Sequence, residues 1–184
     1  MQGIAGQGPR GPEVWIRGPV AGPEPQQQPP QPAQGAVTAR RFAWVATHGG
    51  AGASTLAAVF GGHDAGRDWP RPERGDPGSV LLVGRTHAAG LEAVSHTLDI
   101  FRRGDAPPGL DLDAIVLVAD APGRLPRQLA QRIKVIGSVI DVYLVPWVPA
   151  WRVGELDGPP PRECDQLARL TGASAPSTGR RGSR

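Results

Sequence analysis

The residues best placed to do chemistry are His48, Gly49, Gly50, Ala51, Gly52, Ala53, Ser54 and Thr55. Glycines at 49, 50 and 52 leave the backbone open to an approaching anion. No side chain blocks the amides, and the turn can use positive φ. The apolar run Phe42 to Val45 before this turn reads as a buried strand. Ser54, Thr55 and the small apolar residues up to Phe60 read as the opening of a helix. A helix starting there adds unpaired N–H groups and the positive end of its dipole. The chemistry such a segment supports is the cradling of a phosphate.

A second element is Asp120 to Gly123, DAPG, which closes the apolar run Ala114 to Ala119. One reading makes Asp120 the cap of a helix beginning near Gly123. Arg85 and Arg124 each follow the end of an expected strand and are candidate cations at the ligand-binding edge. His48 beside the glycine turn could assist an anion as imidazolium. His63, His87 and His96 have no metal-ligand spacing, and zinc is not expected. Gly52-Ala53-Ser54 has the first half of a nucleophile elbow. Leu56 then stands where glycine is needed, and no histidine follows His96, which disfavours a hydrolase.

These residues need a scaffold. Four continuous apolar runs read as parallel strands covered on both faces: Phe42 to Thr47, Val80 to Val83, Ala114 to Ala119 and Val139 to Val145. Leu91, Val94, Leu98 and Phe101 repeat at helical spacing within His87 to Arg103, with Gly104 as a stop. Leu125, Leu129, Ile133 and Ile136 do the same from Gly123 to Ile136, before Gly137. A last helix is expected over Arg162 to Leu170, burying Cys164, Leu167 and Leu170. The alternation predicts a doubly wound α/β domain with a mostly parallel sheet of about four strands. Gly61 to Gly78 shows no regular pattern and reads as a disordered loop, with Trp69 against the surface.

The segment HGGAGASTLA resembles the KGGxGKTTLA loop of the ParA/MinD partition and positioning ATPases, the deviant Walker A group of P-loop proteins. LDAIVLVADAPG resembles that family's apolar strand ending in DTPPG, and SVLLVGRT its VLLID strand without the acidic end. The likeness spans roughly residues 41 to 150. Small actinobacterial proteins with HGGAG-type loops, often near mobile elements, are also similar. The resemblance implies ATP with magnesium as cofactor, Ser54 and Asp120 in the magnesium shell, and the Gly123 amide near the γ-phosphate. It also implies the strand order 2-3-1-4 among the four expected strands, with the Asp120 strand beside the Val45 strand. His48 replaces the signature lysine and Ala53 the lysine that faces the β- and γ-phosphates. Efficient hydrolysis is therefore not expected. A lysine restored at position 53 should strengthen triphosphate binding.

Composition sets the outer limits. Proline (21) and glycine (26) together make up about a quarter of the chain, and eight of the prolines lie before Thr38. Residues 1–39, rich in Pro, Gln and Gly, read as a disordered arm with an apolar island at Val14, Trp15 and Ile16. Residues 40–172 hold the domain, and 173–184 a flexible basic tail. A net charge of +3 is spread among acids, and aromatic residues are few. Nucleic-acid binding is left open by the tail and not favoured. One cysteine, no apolar leader and no spanning segment fit a cytoplasmic protein away from membranes. Two functions follow. One is nucleotide or phosphate-anion binding without efficient hydrolysis, in plasmid or mobile-element maintenance by resemblance. The other is a pseudo-ATPase adaptor without nucleotide, using Trp15 and Val145 to Trp151 to meet a protein partner or a second copy.

Overall fold

The computed structural model describes residues 40–173. The expectations for the arm, for the Val14 to Ile16 island and for the tail from 174 lie outside these residues. In chain order the elements are β1 (Phe42–Ala46), α1 (Ala53–Phe60), β2 (His63–Asp64), β3 (Ser79–Arg85), α2 (Ala88–Arg103), β4 (Asp111–Val118), α3 (Arg127–Gly137), β5 (Val142–Val145), α4 (Pro149–Arg152) and α5 (Asp165–Thr171).

All strands are parallel, in the order β2-β1-β3-β4-β5. The α/β class with a parallel sheet thus holds, with five strands among the described residues where about four were expected. The expected strand order does not. β3 lies between β1 and β4, so the strand ending at Asp120 is not beside the strand carrying Val45. Local apolar pattern sets which residues form strands. It does not set which strands pair.

The strands bury both faces, as their unbroken apolar runs require. Phe42, Trp44, Leu81, Val83 and Val116 pack on one side with Leu56 and Phe60 of α1 and Leu167 of α5. Val45, Val80, Leu82, Ile115 and Leu117 pack on the other with Leu91 and Val94 of α2 and Ile136 of α3. Trp44 is fully buried, and its indole N–H donates to the Gly61 carbonyl at 2.7 Å, which meets its one polar requirement.

The expected disordered loop carries structure. After α1 the chain forms β2 on the outer side of β1, then makes a 3-10 turn at Pro72–Arg74. Trp69 packs edge-on against Phe101 of α2, centroids 5.4 Å apart. The segment therefore leaves one side of β1 and returns on the other. Brief strands of two residues give no periodic signal to read.

This reversal has a consequence for function. From β1 the chain moves outward to β2 through α1, then in the opposite direction to β3, β4 and β5. β1 and β3 are neighbours whose following helices cover opposite faces. The crevice between their carboxyl ends is a topological switch point, where doubly wound sheets bind ligands.

Candidate functional site

The turn after β1 is built as its glycines suggest. Gly50 and Gly52 have φ of 75° and 107°, and Gly52 caps α1 in the left-handed region. The Ala51 amide donates to the His48 carbonyl at 3.3 Å, closing the turn. α1 then starts without a side-chain cap. Leu56 N–H is the first to bond back, to Gly52 at 3.0 Å. The amides of Ala53, Ser54 and Thr55 have no acceptor among the described residues. Helix starts normally satisfy these donors with a side chain, water or a ligand.

His48 ties this turn to the neighbouring strand. Its Nε2 accepts from the Arg85 backbone N–H at 3.1 Å, and its Nδ1 lies 2.9 Å from the Gly49 carbonyl. These partners assign the neutral ring with the proton on Nδ1. His48 thus positions Arg85 through its ring. Gly90 of α2 leaves room for this contact: a Cβ there would lie 2.4 Å from the Arg85 carbonyl oxygen and 3.1 Å from His48 Nε2.

Arg85 braces the crevice. Its Nε donates to the Gly50 carbonyl and its NH1 to the Ala119 carbonyl, each at 3.0 Å. It spans from the glycine turn to the end of β4. Burial first, and then the nearby Arg152, hold it below the ordinary arginine range, with Asp120 opposing. A cation desolvated beside another cation is stabilised by any anion that enters.

His48 through Thr55 all line one cavity of about 390 Å³, together with Gly66, Arg67 and Arg85. Ser54 is exposed there. Ala53 faces both the cavity and the core. It is 4 % exposed and sits in the same apolar cluster as Leu56 and Val118. Ala53 also lines the glycine-turn cavity, so a lysine there would leave the core cluster to reach it.

Asp120, Gly123 and Arg124 line a different cavity, of about 470 Å³. Two strand spacings, about 10 Å, separate β1 from β4. Ser54 and Asp120 line different cavities, and β3 separates the strands that precede them. Among the described residues no group of three or more His, Cys, Asp or Glu is placed to hold a metal. Asp120 is not a helix cap either. Its N–H donates to Thr86 Oγ1 at 3.1 Å, and α3 starts only at Arg127, after Pro126.

Sequence reasoning missed Arg67. It reaches the glycine-turn cavity because β2 runs parallel to β1, and the Ala46 N–H donates to the Gly66 carbonyl at 2.6 Å. The weak signal available was Gly66 itself, a turn glycine with φ of 61°.

The fold and site define a doubly wound, all-parallel α/β domain with a glycine turn at its switch point. The family model described as a family of unknown function, DUF6668, matches residues 42–167, and the chain belongs to that family. No curated protein and no solved structure matches the chain.

Proposed function

We propose that this protein binds a nucleotide or another phosphate anion at the glycine turn, without efficient hydrolysis. The observation that carries the reading is the uncapped start of α1, whose amides open on a cavity shared with Arg67 and Arg85. Amides and a helix dipole favour a phosphate without needing a lysine. Arg85 stands where the resemblance lacks a cation, and Arg67 adds a second. Hydrolysis has less support. Position 53 belongs to the core, and Asp120 lies across β3 from Ser54. By resemblance the setting is plasmid or mobile-element maintenance.

A second reading, an adaptor that binds no nucleotide, draws on the buried Ala53 and on the segment from Val145 to Trp151. There Arg152 lies over the Trp147 ring at 4.1 Å. Calorimetric titration with ATP, ADP, AMP and inorganic phosphate, each with and without magnesium, separates the two. Saturable heat that does not require magnesium supports the anion site. No heat at millimolar ligand supports the adaptor.

A further inference from the structure

We propose that a ligand anchored by its phosphate at the glycine turn places an aromatic ring in the second cavity on the same sheet edge. This rests on the phosphate reading above and names the class of ligand: an aromatic or heteroaromatic phosphate ester. The cavity, about 470 Å³, lies at the carboxyl ends of β3, β4 and β5. Its volume and its mostly apolar walls are those of a small-molecule pocket. Leu125, Leu129, Leu144 and Pro146 form much of the wall. Leu144 is 52 % exposed, a large apolar side chain left in water on a strand. A ring seated against it would remove that surface from solvent.

Two contacts join this cavity to the glycine turn. Arg85 hydrogen-bonds to Gly50 in the first cavity and to Ala119 in the second. The His48 ring, in the first, lies 5.4 Å from the His87 ring, in the second. Arg85 and the His48–His87 ring pair stand between the cavities, and both open on the edge where the switch point lies. Asp120 and Arg124 line the second cavity and supply an acceptor and donors. They suit the polar edge of a ring.

The test compares affinities for inorganic phosphate, phenyl phosphate, AMP and octyl phosphate, using the full chain and its Leu144→Glu variant. At least one ring-bearing ester should bind about tenfold or more tighter than inorganic phosphate. Leu144→Glu should abolish that gain and leave inorganic phosphate unchanged. If that variant does not fold, Leu125→Ser takes its place with the same expectation. Equal affinity for all four ligands would overturn the inference while leaving the phosphate site intact. So would a gain for octyl phosphate alone, or a ring gain that survives the substitution. No binding of any of the four would overturn the phosphate reading and this inference with it.

Discussion

The two loops that flank the crevice are built on different principles. The turn from His48 to Gly52 is made of backbone: positive-φ glycines, unpaired amides and one histidine holding the next strand. The segment from Asp120 to Pro126 borders a cavity walled by leucines and prolines. In the family that the sequence resembles, both loops would converge on one nucleotide and its magnesium. Here β3 runs between their strands, and Arg85 occupies the gap. The lesson is that two local motifs do not make a shared site until the strand order places them side by side. One end of the crevice is suited to charge, the other to apolar surface.

The strongest way to break this comparison is Ala53→Lys. A buried position next to Leu56 must then hold a longer, charged side chain. The variant should lose about 2–3 kcal/mol of stability, read as a lowered denaturant midpoint. Unchanged stability with tighter ATP binding would restore the expectation drawn from sequence. Next in size is Gly52→Ala, which forces a Cβ onto a residue with φ of 107°. A loss of about 1–3 kcal/mol is expected, with weakened phosphate binding because the amides move. Arg85→Gln should lower phosphate affinity about tenfold, since charge-assisted hydrogen bonds are worth about 1.5–3 kcal/mol. The same substitution tests the partition, because Gln is too short to reach both Gly50 and Ala119.

A pH measurement probes the core away from the crevice. Burial, and then Glu163 and Asp165, push the Cys164 thiol up to about 11 from 9.0. The unfolded chain then releases its proton first. Stability from this group is complete below pH 9.0 and falls as pH rises towards 11. Denaturant midpoints measured over that interval should decline more in the wild type than in Cys164→Ala. Equal slopes would show that the thiol is not shielded. The smallest effect is expected for Asp120→Ala. As an exposed residue that caps no helix, it should change stability by less than about 0.5 kcal/mol and leave the magnesium dependence of binding unaltered. Loss of a magnesium requirement would return Asp120 to a metal site.

Much of the scaffold was legible in the sequence because it rests on local signals. Gly104 does stop α2, with φ of 75°, and the N–H of Gly90 donates to Nδ1 of His87, the cap at the other end. The glycine turn was legible for the same reason: positive φ and close approach demand glycine at fixed spacing. The start of α3 was misplaced because Leu125 continues the apolar spacing of the helix, yet Pro126 delays its first turn to Arg127. The pairing of β1 with β3, the role of β2 and the arrival of Arg67 depend on contacts between distant segments. No local pattern carries them. At position 53 a motif specifies residue type and leaves burial unspecified, and here the alanine is 4 % exposed.

The central claim is that the turn after β1 binds phosphate through its amides. The direct measurement is an amide chemical-shift titration of the ¹⁵N-labelled chain with inorganic phosphate and AMP at constant pH. The account predicts saturable shifts concentrated at Gly50, Gly52, Ala53, Ser54 and Thr55, with the Arg85 side-chain Nε–H moving alongside them. Absence of shifts at these residues at millimolar ligand, or shifts confined to the arginine-rich tail, would contradict it.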